Sequence, residues 1–398
     1  MSLVIIGGGI IGLSTAYYAS QSGQKVIIID SASQLLLSAS GFSGGFLARD
    51  WFAPDVLPLA ELSFRLHREL AEAHDGATKW GYRASRSFSL VNQNGTTVRG
   101  EDWLRQGSSR ANASKQTLQS NRAPPSISWM DLPSGMNLES ISEDGDCAQV
   151  DPRALCEWLI QQCERNGVKI HLSTKPTRLV SKNDGGAGDR FSALECVDGQ
   201  GNTVIIPCAD IVIAAGAWTP RVFQTLLHRA LSPDITSLAG HSVVLHSPVY
   251  TAPTEGVHAV FCSPGEHWSF APELFSRVDG DKNGAEIFVG GKNSATMPLP
   301  ESADHVASHR DEKQSREIRE TALRILAGTA EVVRESLCFR PISSSGKPIV
   351  TAVEGVRSQD GRLYVASGHG PWGISMSLGT GYTVADMIKK RRVKTSRI

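Results

Sequence analysis

Two hydrophobic periods alternate along this chain, and their order is informative. Val4-Ile5-Ile6 is an all-apolar run that breaks at Gly7-Gly8-Gly9-Ile10-Ile11-Gly12. Leu13 to Ser22 follows with helical character, and after Gly23 a second apolar run, Lys25 to Ile29, closes on Asp30. The pattern predicts strand, glycine turn, helix, strand and acid. Leu57, Leu59, Leu62, Phe64, Leu66 and Leu70 predict a helix within Pro54 to Ala73. Asp151-Pro152 opens another, with proline in its first turn, Leu155, Leu159 and Cys163 on one face, and Gly167 as its stop. Val168 to Leu172 alternates like a strand, whereas Ile211 to Ala215 is apolar throughout, as in a buried parallel strand.

From Ser237 to Gly291 the pattern becomes short alternating strands separated by turns, as in Ser242 to His246 and Glu286 to Val289. Ala303 to Ala327 is polar and helical. Leu363 to Ala366 is one more strand, ending in Gly368-His369-Gly370-Pro371-Trp372-Gly373, and Ile374 to Ile388 reads as a helix. The fold class is therefore α/β with two domains. A Rossmann-type, discontinuous nucleotide-binding domain comprises 1–60, 148–236 and 335–398, and a second domain on a largely antiparallel sheet comprises 61–147 and 237–334.

The first thirty residues have the order of a dinucleotide-binding βαβ unit. Gly7 permits the tight turn, Gly9 lets backbone approach a pyrophosphate, and Gly12 lets the helix pack closely on the sheet. The helix N-terminus offers unpaired N–H groups to phosphates, and Asp30 stands where a carboxylate accepts hydrogen bonds from a ribose.

Composition narrows the class without naming it. Forty basic and forty acidic residues leave no net charge, so no global field draws the chain to nucleic acid or anionic lipid. No apolar run approaches the ~20 residues that span a bilayer, and the first strand starts too early to leave room for a leader peptide. Seven cysteines, odd in number and without a CxxC pair, suggest reduced thiols rather than a disulfide framework or a zinc site, and no metal cluster is expected. The polar stretch Gly107 to Pro125 reads as an exposed loop.

Three further segments resemble one family. They are Ser38-Ala39-Ser40-Gly41 through Gly44-Gly45, the strand and turn Val212 to Trp218, and Arg340-Pro341 … Gly346-Lys347-Pro348 … Gly368 to Ile374. In this order they resemble the FAD-dependent D-amino acid oxidase superfamily, which includes glycine, sarcosine and fructosyl amino acid oxidases. Gly44 to Trp51 and Met297-Pro298-Leu299-Pro300 resemble a fungal branch of oxidoreductases without an assigned substrate. The resemblance implies an extended FAD whose ring lies at the interface with the antiparallel sheet. It places cofactor contacts at Gly7, Gly9, Ile10, Ile11, Gly12, Asp30, Ser31, Ser38, Ser40, Gly41, Gly44, Gly45, Pro176, Ala215, Gly216 and Trp218. Gly370, Pro371, Trp372, Gly373 and Ile374 complete the set, their backbone N–H groups and the last helix facing charge that develops on the flavin pyrimidine edge.

On the substrate side the resemblance points to Arg340, whose guanidinium fork fits a carboxylate, against the plainer reading of a pair with a nearby acid. Lys292 is a candidate cation beside the flavin, or a solvated lysine, and His369 a candidate base, or a residue that orients backbone. Cys338 stands where sarcosine-type members carry a covalent flavin link, although non-covalent FAD is the expectation. The implied reaction is hydride transfer from the Cα of a small amine or amino acid to flavin N5, with O2 as acceptor and hydrogen peroxide as product. An FAD-binding protein acting mainly in endosome-to-Golgi trafficking and a tailoring oxidase for a larger metabolite are the alternatives. A monomer or homodimer is expected. Ser396-Arg397-Ile398 resembles a peroxisomal import tripeptide, so the compartment expected is peroxisomal or cytoplasmic. The basic run Lys389 to Arg392 reads as a companion to it, a nuclear signal or a solvated tail.

Overall fold

A computed structural model describes residues 2–92, 110–114, 127–132, 134–181, 190–251, 256–264, 267–278 and 285–395. Ser396-Arg397-Ile398 and most of Gly107 to Pro125 lie outside the described residues.

Two sheets organise the chain. In the first, Ser2–Ile6 is central, parallel to Val26–Ile29 on one side and to the end of Thr203–Ile213 on the other. Lys169–His171 extends one edge in parallel, and Arg362–Ser367 runs parallel to Thr203–Ile213 on the other side. Ile349–Ser358 then joins antiparallel. Register places Ile5 between Ile28 and Val212, all three fully buried. A parallel strand covered on both faces needs such unbroken apolar runs, and each buried aliphatic side chain stabilises by about 1.5–3 kcal/mol. The first half of Thr203–Ile213 pairs instead with Ala193–Val197, which carries Lys175–Val180 on its far side.

The second sheet has the order Glu331–Ser343, Ile235–His246, Ala285–Ser294, Glu273–Val278, Val257–Cys262, Arg83–Asn92, Cys147–Gln149, Phe46–Ala48. Its pairings along that order are antiparallel except Val257–Cys262 with Arg83–Asn92. Phe46–Ala48 and residues 335–343 of Glu331–Ser343, which the sequence pattern assigns to the nucleotide-binding segments, are strands of this sheet.

The helix Ile10–Gln21 packs against both Pro152–Arg165 and the last helix, Ser377–Thr395. A Cβ on Gly381 would stand 2.6 Å from the Cβ of Ser14, so glycine sets how closely the first and last helices cross. Asp151 caps Pro152–Arg165 by accepting from the N–H groups of Arg153 and Ala154 at 2.8 and 3.1 Å.

Two boundaries depart from the sequence pattern. Ala303 to His309 forms two short 3₁₀ turns, and the helix begins only at Glu312, where the Asp311 carboxylate accepts from Lys313 and Gln314. Hydroxyl and carboxylate side chains of this segment bond locally or across the fold instead, Ser302 with Asp304 and Asp304 with Ser33. The last helix starts at Ser377, three residues after Ile374, because Gly370–Trp372 takes a 3₁₀ turn. Its basic end is built into the fold: Arg391 and Arg392 each meet the fully buried Asp210, at 2.8 and 2.9 Å. That pair of arginines therefore is not part of a solvated tail. A buried charge left without its partner costs several kcal/mol, which fixes this helix end in place.

Candidate cofactor and substrate site

The C-terminal ends of Ser2–Ile6, Val26–Ile29 and Thr203–Ile213 open on one cleft, the position at which parallel sheets bind ligands. The cleft encloses about 1260 Å³ of space, part of it open to solvent. Its wall brings together Gly7, Gly9, Ile10, Ile11, Asp30, Ser31, Ser38, Ser40, Pro176, Ala215, Gly216 and Trp218 with Arg340, His369, Gly370, Pro371, Gly373 and Ile374. These come from segments more than three hundred residues apart in sequence.

The glycines divide into two kinds. Gly7 has φ +109°, and a Cβ there would run into the backbone of Ala214–Ala215. At Gly12, Gly41 and Gly45 a Cβ would strike the carbonyls of Gly7, Leu36 and Val150, and at Gly44 the Phe275 ring. The fold itself requires these residues, and Gly12, Gly41, Gly44 and Gly45 do not line the cleft. Gly9 and Gly373 differ. Their φ values, −76° and −57°, suit any residue. Their missing side chains would meet only Ser40 Oγ at 3.1 Å and His369 Cβ at 3.8 Å. Both face the cleft, and the bare backbone at these two positions leaves space there for a ligand.

Polar groups on the wall point the same way. The Gly9 and Ile11 N–H groups have no protein acceptor among the described residues. Ser40 Oγ takes the Ile10 N–H at 3.0 Å and Ser38 Oγ takes the Phe339 N–H at 3.1 Å, which ties this loop to the helix start and to the second sheet. Ser43 Oγ and His369 Nδ1 are buried on the wall with no partner among the described residues. Asp30 accepts from Gly8 at 2.8 Å and Ala32 at 2.9 Å, one carboxylate oxygen each, leaving a further lone pair on both. Burial raises its carboxyl above the usual range, those two bonds opposing the shift. N–H donors at a helix start, a carboxylate beside them and small residues between fit a dinucleotide's pyrophosphate and ribose.

At the other end of the cleft, Arg340 donates from NH1 to Asn293 Oδ1 at 2.6 Å, and no carboxylate pairs with it among the described residues. His369 is buried, its Nε2 lies 3.0 Å from Thr380 Oγ1, and burial lowers its pKa to about 4. The ring is thus neutral at physiological pH, bonded to a helix side chain rather than to an acid that would strengthen it as a base. Nearby, His67 Nε2 meets the Ile374 carbonyl at 3.0 Å and holds the turn into the last helix.

Besides Gly12, Gly41, Gly44 and Gly45, the structure leaves Lys292 and Trp372 off this wall. Lys292 pairs with Glu317 at 2.8 Å and stands over the Phe270 ring. Trp372 packs among Phe46, Trp51 and Phe52, with the Arg110 guanidinium over its face at 4.9 Å. Trp218 lines the cleft while donating to the Pro300 carbonyl at 2.8 Å; Arg221 holds Leu299 and Pro300, and Asp304 takes Ser33. The Met297–Pro300 stretch is thereby strapped along one rim.

Several residues of this neighbourhood carry no sequence signal. Arg110 falls in the stretch read as an exposed loop, yet it is buried and bidentate to the buried Glu273 at 2.8 and 2.9 Å. Arg277 is buried and donates to the Ser43 carbonyl at 3.1 Å. Asn293 and Gly240 reach Arg340 only through strand register.

A parallel sheet with this cleft, joined to a second, mostly antiparallel sheet that supplies Arg340, defines a two-domain dinucleotide-dependent enzyme architecture. Residues 2–387 match the family described as FAD dependent oxidoreductase, and the chain belongs to that family. It is an oxidoreductase, and the family implies FAD. A Schizosaccharomyces pombe oxidoreductase is 25% identical over 411 residues, covering all of this chain and 96% of that protein. A Saccharomyces cerevisiae oxidoreductase is 22% identical over 497 residues, covering 97% and 91%. Among solved structures, glycine oxidases of Geobacillus kaustophilus and Bacillus cereus superpose with TM-scores of 0.72 and 0.71 at 21% and 20% identity. Each covers 98% of this chain, and 94% and 95% of those chains respectively. At such identities the likeness establishes the fold, that of glycine oxidase and related enzymes. No helix among the described residues is long and apolar enough to cross a membrane, and no group of described residues could hold a metal.

Proposed function

We propose that the chain holds FAD in this cleft and oxidises the C–N bond of a small amine or amino acid bearing a carboxylate. The bound flavin would accept hydride from the substrate Cα and pass two electrons to O2, giving hydrogen peroxide, while the resulting imine hydrolyses to a carbonyl compound. The observation that carries this reading is Arg340. It lines the same cleft as the unpartnered N–H groups of Gly9 and Ile11, and it has an amide rather than an acid for a partner. A guanidinium with charge to spare, at one end of a dinucleotide cleft, suits a substrate carboxylate. Among the described residues the wall offers no acid–base dyad, and the neutral His369 fits a reaction that needs orientation of an already deprotonated amine rather than a strong base.

The test is anaerobic mixing of the holoprotein with a panel of amino acids and N-methyl amines. Bleaching of the flavin absorbance by at least one carboxylate-bearing amine, followed by peroxide release on admitting O2, is expected. A flavin that stays oxidised across the panel would remove the amine-oxidising reading.

The flavin is expected to be non-covalent. Cys338 is buried, its thiol is pushed above the usual value chiefly by desolvation, and it does not line the cleft. Acid or heat should therefore release intact FAD into the supernatant. Flavin retained on the denatured chain, and lost from it in Cys338→Ser, would show a thioether instead.

A further inference from the structure

The guanidinium of Arg340, on the second sheet, and that of Arg110, on a short 3₁₀ turn at residues 110–113, lie close enough to repel, and the protein treats them oppositely. Burial opposes the protonated form of Arg110, and the positive charge of Arg340 adds to that opposition. Arg110 is neutralised by two hydrogen bonds to the Glu273 carboxylate. Arg340 donates to the side-chain oxygen of Asn293 at 2.6 Å, has the Cys338 thiol against it, and meets no carboxylate among the described residues.

The sheet register builds this arrangement. Gly240, in the middle strand, pairs with Asn293 on one side and with Cys338 on the other. A Cβ at Gly240 would come within 2.5–3.1 Å of the Arg340 NH2, Cζ and NH1 atoms. The guanidinium thus lies flat against bare backbone, with one edge fixed by the amide. A neutral acceptor spends one N–H of the five and none of the charge. A carboxylate at residue 293 would fit the same space, bind more tightly and cancel the charge.

We infer that Asn293 is a positioning residue for Arg340: it fixes the guanidinium over Gly240 while leaving its charge for a substrate carboxylate. This rests on the reading of Arg340 as a carboxylate binder, so the experiment separates the two. The probe is benzoate, titrated into holoprotein and followed by the flavin absorbance and by inhibition of the best amine substrate. Asn293→Asp should weaken benzoate binding at least about tenfold, since an internal carboxylate competes for the fork. Asn293→Ala should weaken it only a few-fold, since it loosens the guanidinium without neutralising it. Gly240→Ala should weaken it by displacing the guanidinium with all charges intact. Flavin content and melting temperature should stay at wild-type levels in the two Asn293 variants.

A purely structural asparagine would give the reverse order, because Asp is nearly isosteric and Ala leaves a gap. Benzoate binding unchanged in Asn293→Asp, or weaker in Asn293→Ala than in Asn293→Asp, would overturn the inference. If Arg340→Leu weakens benzoate while Asn293→Asp does not, only the role of Asn293 falls. If Arg340→Leu has no effect, or wild type shows no saturable response to benzoate, the carboxylate reading falls and this inference with it.

Discussion

Gly9→Val is expected to give a folded, colourless protein. The backbone at Gly9 is ordinary, and the first added carbon meets only Ser40 Oγ at 3.1 Å, so the variant should fold. The side chain would project into the cleft beside the N–H groups of Gly9 and Ile11, where the pyrophosphate is proposed to lie. Overpacking costs about 1–3 kcal/mol at a typical site. Against a pyrophosphate held by fixed backbone donors the upper end applies, a loss of roughly a hundredfold in FAD affinity. Flavin absorbance per chain after gel filtration measures it, with circular dichroism as the check on folding. Full flavin content in a well-folded Gly9→Val protein would show that the cleft does not seat the cofactor here.

Arg340→Leu should raise KM for a carboxylate substrate by roughly thirtyfold or more at normal flavin content. Losing one member of a charged hydrogen-bonded pair costs about 2–5 kcal/mol, and each 1.4 kcal/mol is a factor of ten. Leu fills much of the aliphatic volume, and because Arg340 makes no ion pair with the described residues, its removal strands no protein carboxylate. A matched amine lacking the carboxylate separates the cases: its KM should barely move. An unchanged KM for the best carboxylate substrate would take Arg340 out of the site.

What could be read from the sequence was local or governed by short periods. The first βαβ unit is visible because a buried parallel strand must be apolar throughout. Gly12 must lack a side chain because of the Gly7 carbonyl five residues earlier, Gly7 needs its positive φ for the turn, and Asp30 follows its strand at a fixed offset; the further bar to a side chain at Gly7, the Ala214–Ala215 backbone, is distant and not legible. The antiparallel sheet was legible for the same reason, as alternation between turns. The pairing around Arg340 was not. Asn293 and Gly240 meet it through a register spanning three strands, and no spacing in the sequence encodes which residue faces which across a sheet. Arg110 was hidden by its polar surroundings, since burial of a charge depends on a partner, Glu273, far away in sequence. Lys292 shows the converse: its strand was legible, but its ammonium is taken up by Glu317 on a helix whose packing the sequence does not specify. The start of the last helix moved for a local reason, because Gly370–Trp372 takes the tighter 3₁₀ turn before the α-helical pattern begins.

The discontinuous cleft also constrains when the protein can acquire its cofactor. Its wall runs from Ile6 through Pro176 and Trp218 to Arg340, and closes only with the turn ending at Ile374. The central strand Ser2–Ile6 leaves the ribosome first but waits for Thr203–Ile213 before its second edge is covered. Until Thr203–Ile213 has emerged, that edge of the strand stays uncovered. The chain cannot grip a dinucleotide with the full wall until the last glycine turn has been made. The complete wall is therefore offered by a chain whose strands are already paired rather than by one still being threaded.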